Sequence, residues 1–281
     1  MADTQLAVLG SPIAHSLSPA LHAAAYRTLG WDWEYGRFEV AEADLASFLD
    51  AHSGWAGFSV TMPLKTELVR LAGQHGWAVD DTAGLTGGGN TWVGGPVPGV
   101  FNTDVYGIEQ ALREVRADVS ACAVVGSGAT AKSAVLAAVH LGAERVDVYA
   151  RSAHKAQALA DFAQYLGAQS HTQAIGELPL ASCSTVLSTL PSGVLTEDSL
   201  ELPENCQTTV FEAGYAPGGF SLARAAAERG GTAVSGQRML IHQAIRQIEL
   251  FGIAQGQLAG PFDAQTLTAL EETMTQEAQT L

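Results

Sequence analysis

The sequence predicts an α/β protein, and three observations carry that prediction. Short apolar runs of strand type alternate with stretches in which apolar residues recur at helical spacing. The alternation restarts after residue 118, with a continuous apolar run that enters a glycine-rich turn and then a helix. The chain has 281 residues, about twice the length usual for one domain, so one large or two modest domains are expected.

The first strand candidate spans residues 6–9 and ends at Gly10. Ser18 and Pro19 then open an alanine-rich helix that stops at Gly30, with Ser18 suited to the N-cap and Pro19 to the first helical position. Alternating Trp31, Trp33 and Tyr35, followed by Phe38 and Val40, reads as a second strand, and Leu45, Phe48 and Leu49 mark one face of the next helix. A third strand over residues 57–62 runs through Pro63 into a helix carrying Leu64, Leu68 and Leu71. Glycine-rich segments at 84–89 and 94–95 flank a short strand at 90–93, and another helix begins near residues 101–107. Beyond Asp118 the expected order is strand 121–125, helix 130–141, strand 146–150, helix 153–166, strands 185–188 and 208–213, helix 221–228 and strand 232–234. Strands separated by helices of this length imply a parallel, doubly wound sheet. Two helices, near 238–250 and 263–279, close the chain.

The composition narrows the function classes. A 47% hydrophobic and 15% charged content describes a globular chain, and no window holds the apolar run of about 20 residues that a membrane span needs. Neither an export leader nor a membrane partner is expected. Cys122, Cys183 and Cys206 are odd in number and widely spaced, which argues against a disulfide framework or a zinc site and for a reduced, cytoplasmic setting with no metal. A formal net charge of −15 opposes nucleic-acid binding, so an anionic ligand would need local positive contacts. The only lysines are Lys65, Lys132 and Lys155.

Gly126, Ser127, Gly128 and Ala129 follow a strand and open a helix, the context in which backbone N–H groups and a helix N-terminus receive a dinucleotide pyrophosphate. The next strand ends in Ala150, Arg151 and Ser152, with no acid to hold a ribose 2′-hydroxyl. Arg151, Ser152 and Lys155 suit a 2′-phosphate instead, which favours NADP(H) over NAD. Solvated surface positions are the alternative for Arg151 and Lys155. Lys65 lies past a strand end, where open α/β sheets present ligand-contacting groups. Its alternative is a helix start at which it pairs with Glu67 or solvent. Asn102, Thr103 and Asp104 read locally as a helix-capping cluster, which only a pairing with Lys65 would lift.

With these motifs in order, the chain resembles the shikimate dehydrogenase family over essentially its whole length. The segment 10–19, with Ser16 and Ser18, is similar to the family's substrate-carboxylate loop, and 59–65 to its catalytic-lysine segment. Residues 89–91 resemble its substrate-hydroxyl segment, 102–104 its catalytic-aspartate segment, and 236–243 a C-terminal motif. The resemblance implies an N-terminal α/β substrate domain over residues 1–105, joined by C-terminal helices at about 239–281. It also implies a Rossmann-like NADP domain over 106–238, with a deep cleft between the two. The implied reaction is reversible NADPH-dependent reduction of 3-dehydroshikimate to shikimate, in aromatic amino-acid and chorismate biosynthesis. Lys65 and Asp104 would be catalytic. Ser16, Ser18, Thr61, Asn90, Tyr215 and Gln243 would join them in binding substrate, and Gly236 and Met239 would join the glycine turn and Arg151 at the cofactor. A homodimer is the one protein partner allowed for.

Several positions depart from the family pattern. Ser59 stands for a frequent asparagine, Phe101 for an acid, Val105 for a glycine and Glu212 for an aspartate. Ala129, Lys132, Ala150 and Lys155 alter the cofactor motifs, and the two lysines replace arginines, losing bidentate geometry. The substitutions near the pocket leave open a quinate/shikimate paralogue using NAD or NADP, and a silent nucleotide-sensing homologue is the reading from another class.

Overall fold

The computed structural model describes residues 4–177, 183–196, 204–214 and 220–280. The chain forms two compact units, residues 1–107 with 240–281, and residues 108–239.

The first unit is built on β1 (Thr4–Gly10), β2 (Trp33–Glu39), β3 (Gly57–Val60), β4 (Ala78–Val79), β5 (Thr91–Val93) and β6 (Gly99–Phe101) in the order β2-β1-β3-β5-β6-β4. The sheet is mixed, because β5 runs antiparallel to both β3 and β6 while the other pairings are parallel. Its helices are α1 (Ser18–Leu29), α2 (Leu45–Ala51), α3 (Lys65–His75), α4 (Asp81–Thr86) and the first turn of α5 (Thr103–Glu114). The sequence did not reveal β4, β6 or α4. The two strands are too short to show a period of two, and α4 lies in a glycine-rich stretch that reads as loop.

Leu17, not Ser18, precedes the first helical residue of α1, and the Leu17 side chain makes no capping hydrogen bond. The expected N-cap role of Ser18 is therefore corrected. Ser18 and Pro19 both lie inside the first turn, and Ser16 Oγ accepts from Ser18 N at 3.3 Å.

From Leu240 onward, α9 (Gly236–Ala254) lays Ile241, Ala244, Ile245, Ile248 and Phe251 against Leu6, Leu21, Ala25 and Tyr26, and α10 (Ala264–Thr280) adds Leu270 and Met274 to the same core. The spacing of the α9 set is that of one helix face, so burial of this stripe is what returns the C-terminal segment to the first unit.

The second unit carries β7 (Ala121–Val125), β8 (Arg145–Tyr149), β9 (Thr172–Gln173), β10 (Thr185–Ser188), β11 (Thr209–Glu212) and β12 (Thr232–Ser235). They are all parallel, in the order β12-β11-β10-β7-β8-β9. This is the doubly wound arrangement, in which the strand order reverses between β7 and β10. The helices α6 (Ala129–His140), α7 (Ala153–Tyr165) and α8 (Leu222–Ala227) connect these strands. The nearly uninterrupted burial of β7, β10 and β11 is what a parallel sheet covered on both faces requires. Among the described residues no helix is long and apolar enough to cross a membrane.

One buried titratable group ties acid stability to the first unit. His22 on α1 is fully buried, stacks on Tyr35 with ring centroids 3.8 Å apart, and shares a 3.0 Å hydrogen bond between Nδ1 and the Tyr26 hydroxyl. Burial pushes its pKa down from 6.5 to about 3, with the Gln247 amide opposing in part. The unfolded chain binds a proton on this side chain below its ordinary value, whereas the folded chain refuses it until about 3. Stability is therefore complete above the ordinary value and is lost as the pH falls through that window. Unfolding measured between about pH 7.5 and about pH 5 should show a stability loss larger in the parent protein than in His22→Leu by about 2 kcal/mol. Equal losses in the two proteins would contradict a neutral buried histidine.

Candidate active site

The mixed sheet brings four chain segments to one edge. The C-terminal ends of β1, β3 and β6 point the same way, and β5, running against them, begins there. Backbone hydrogen bonds hold these segments in register beyond the strands. Thr61 N donates to Leu9 O and Ser11 N to Met62 O, which sets the Ser16 loop beside the segment leading to Lys65. Val60 N donates to Asn90 O, Gly89 N to Lys65 O, and Asn90 N to Phe101 O. Asn90 is thereby clamped between the chain entering α3 and the chain entering α5.

The side chains at this edge converge. Lys65, the first residue of α3, places Nζ 2.5 Å from Asp104 Oδ2, and the two side chains are 16% and 6% exposed. Asn90 Nδ2 donates to Asp104 Oδ1 at 2.8 Å and to Gln243 Oε1 at 3.1 Å. Asn90 Oδ1 accepts from Thr103 N at 2.8 Å and from the Thr91 hydroxyl at 2.9 Å. Gln243, on α9, donates from Nε2 to Leu240 O at 3.0 Å, and this fixes its carbonyl toward Asn90. Thr61 is half-buried in the same segment.

Both local alternatives for the pair are resolved by partners. Glu67 is engaged by Arg70, which forms two hydrogen bonds to it and holds its carboxyl below the usual range, so it does not take Lys65. The capping role in the 102–104 cluster belongs to Asn102, whose Oδ1 accepts from Asp104 N at 3.2 Å, and this releases the Asp104 carboxylate for Lys65.

The departures from the family pattern acquire packing reasons. Phe101 lies against the α9 core and Val105 is 1% exposed. Glu212 accepts from the Ser221 hydroxyl at 2.6 Å and from Ala223 N at 3.4 Å, so its carboxylate is spent on the start of α8. Ser59 is buried and bonded on both sides, accepting from Tyr35 and donating to Gln247. Gln247, Thr91 and Thr103 are members of this group to which the sequence reading assigned no site role of their own. Gln247 had one available signal, its position four residues after Gln243 on the same helix face.

In the second unit, Gly126 directly follows β7 at the strand-order reversal with φ +118°, and a Cβ there would meet Thr189 Oγ1 at 2.4 Å. Gly128 is extended, has open space where a side chain would be, and precedes α6 without any side-chain cap. An uncapped helix N-terminus with open space before it fits a pyrophosphate. Ser127 and Ala129 are half-buried on either side of Gly128. Arg151 is exposed at the end of β8, and Ser152 caps α7 by accepting from Lys155 N at 3.4 Å. Gly236 has a local reason of its own, because a Cβ would lie 2.2 Å from Ala213 O, and Met239 is buried three residues further on. Tyr215 lies outside the described residues.

A reversed parallel sheet with a glycine turn, in one chain with a unit bearing a part-buried lysine–carboxylate pair, defines a two-domain protein of the dinucleotide-binding type. Residues 8–91 match the family model for the shikimate dehydrogenase substrate binding domain. The shikimate dehydrogenase (NADP(+)) of Synechococcus sp. strain JA-3-3Ab is 34% identical over 88% of this chain and 87% of its own length. The crystal structure of Mycobacterium tuberculosis shikimate dehydrogenase superposes with a TM-score of 0.83 at 34% identity, covering 99% of this chain and 100% of that one. The shikimate 5-dehydrogenase of Thermus thermophilus, in complex with NADP(H) and shikimate, gives a TM-score of 0.78 at 25% identity, covering 98% and 99%. This chain belongs to the shikimate dehydrogenase family.

A buried pair is costly to break from one side, since the remaining charge is left without its partner. In urea unfolding, Asp104→Asn should lose about 3 kcal/mol, and the double variant with Lys65→Met should lose less than the sum of the single losses by more than about 1 kcal/mol. Additive losses would mean that the two side chains do not stabilise one another.

Proposed function

We propose that this chain catalyses the reversible NADPH-dependent reduction of 3-dehydroshikimate to shikimate, the reaction of chorismate and aromatic amino-acid biosynthesis carried out by the family to which it belongs. The observation that carries this reading is the Lys65–Asp104 pair, its carboxylate buried and its ammonium largely withdrawn from water, bonded through Asn90 to Gln243. Residues 1–105 with the C-terminal helices take the carbon substrate, and residues 106–238 hold NADP(H).

When bound, NADPH supplies the hydride. The glycine turn from Gly126 to Ala129 would hold its pyrophosphate, Arg151 with Ser152 and Lys155 its 2′-phosphate, and Gly236 and Met239 would complete the cofactor site. As the substrate carbonyl becomes an alkoxide it needs one proton, which the Lys65 ammonium donates; in the oxidation direction the lysine takes that proton back. Asp104 holds the ammonium in place and accepts from the substrate hydroxyl beside it. Ser16 and Ser18 bind the substrate carboxylate, and Thr61, Asn90, Tyr215 and Gln243 supply hydroxyl and amide partners to the rest of the substrate, whose hydroxyls each need a partner once buried. A chain of net charge −15 does not attract anions as a whole, so these local groups carry the recognition of both anionic ligands.

Lys65→Ala should abolish loss of nicotinamide absorbance with 3-dehydroshikimate while leaving NADPH binding intact; turnover within a few-fold of the parent would remove the lysine from the mechanism. Arg151→Ala should raise KM for NADPH by about tenfold or more with little change for NADH, as expected for loss of a charge-assisted contact to a 2′-phosphate. An equal effect on both nucleotides would show that Arg151 does not read the phosphate.

A further inference from the structure

Behind Asn90 lies a second row of polar side chains with no charge among them. Tyr35, on β2, donates to Ser59 Oγ at 2.6 Å, and Ser59 Oγ donates to Gln247 Oε1 at 2.7 Å. Gln247 Nε2 donates to Thr91 Oγ1 at 3.0 Å and lies 3.5 Å from the backbone carbonyl of Asn90. Thr91 Oγ1 then donates to Asn90 Oδ1 at 2.9 Å. Gln247 is 1% exposed, Thr91 fully buried and Ser59 buried, so water does not compete for the bonds among them.

The row has one direction. A hydroxyl has a single proton, and a carbonyl oxygen can only accept. The Asn90 carbonyl beside Gln247 requires an N–H on that side, which places the amide carbonyl toward Ser59. Thr91, receiving a proton from Gln247, gives its own to Asn90 Oδ1. With its oxygen occupied by Thr91 and by Thr103, the Asn90 amide presents both of its protons to the other side, where Asp104 Oδ1 and Gln243 Oε1 accept them. Reversing the Gln247 amide would turn the Thr91 proton away from Asn90 and loosen the carboxamide that holds Asp104.

We propose that Gln247 is a positioning residue for the Asn90–Asp104–Lys65 group, acting through the Thr91 hydroxyl, with Ser59 and Tyr35 as the outer links that orient Gln247 itself. The proposal rests on the reading of Lys65, Asn90 and Asp104 as the reacting site. It gives the serine at position 59 a role in this chain, since its short hydroxyl leaves room for the glutamine from α9 to reach the sheet.

The test is steady-state kinetics with 3-dehydroshikimate and NADPH on Gln247→Leu, Thr91→Val, Thr91→Ser and the Gln247→Leu/Thr91→Val double variant. Thr91→Val keeps the shape and removes only the hydroxyl, so it decides the matter if Gln247→Leu does not fold. Each of Gln247→Leu and Thr91→Val should lower kcat/KM for the carbon substrate by about tenfold, chiefly in kcat, with KM for NADPH within about twofold of the parent. Thr91→Ser should recover most of that loss, and the double variant should be no worse than the poorer single, because both changes cut the same row. The proposal is overturned if Thr91→Val keeps parental kcat, if Thr91→Ser falls as far as Thr91→Val, or if the losses multiply in the double variant. Lys65→Ala, assayed alongside, separates the two levels: an active Lys65→Ala overturns the site reading and this proposal together, whereas an inactive Lys65→Ala beside a fully active Thr91→Val overturns the positioning role alone.

Discussion

The contact between Lys65 and Asp104 is the interaction on which the organisation of the first unit depends. An ammonium and a carboxylate at 2.5 Å, both largely withdrawn from water, lose hydration that their mutual attraction restores only if the remaining hydrogen-bonding capacity is also met. The surroundings meet that requirement in layers. Asn90 supplies the second carboxylate oxygen with a donor, Asn102 takes over the helix cap that Asp104 would otherwise make, and Arg70 removes Glu67 as a competing partner. The mixed topology serves the same arrangement. An antiparallel β5 is what brings Asn90, which precedes a strand, to the edge where β3 and β6 end.

The second unit solves a different electrostatic problem with backbone instead of side chains. In a chain of net charge −15 the general field disfavours phosphate, so local donors have to be pre-set. The strand-order reversal between β7 and β10 opens the site. Close approach of Thr189 leaves no room for a side chain at Gly126, and the open N-terminus of α6 offers unsatisfied N–H groups. The cationic side chains proposed for the 2′-phosphate, Arg151 and Lys155, are exposed just past the end of β8 and at the start of α7. This division of labour suits a chain with three lysines.

Long, strongly patterned elements were legible in the sequence. Strands β7 and β10 and helices α6 and α7 fall within a residue of where the apolar pattern put them, because continuous apolar runs and helical spacing reflect burial that a parallel sheet imposes on every strand. The short strands β4, β6 and β9 were not legible. Two or three residues define no period, and the pairings of β4 with β6 and of β9 with β8 join residues more than 20 positions apart. Ser18 shows the same limit on a single residue: Ser-Pro before an alanine-rich run satisfies every local rule for a cap, yet the helix begins one residue earlier because Leu17 already accepts from Leu21 N.

The sequence by itself determined the α/β class, the parallel second sheet, the glycine turn with its missing acid, and the candidate lysine, since each is written in spacing or residue type along a continuous stretch. Only the tertiary structure decided that Lys65 turns to Asp104 and not to Glu67, that Asn102 does the capping, and that Gln247 joins Ser59 to Thr91. These choices lie between residues up to 188 positions apart. A hydrogen-bond donor selects among acceptors by distance and direction, and both are fixed only when the β-sheet brings its strand ends to one edge and α9 closes over them.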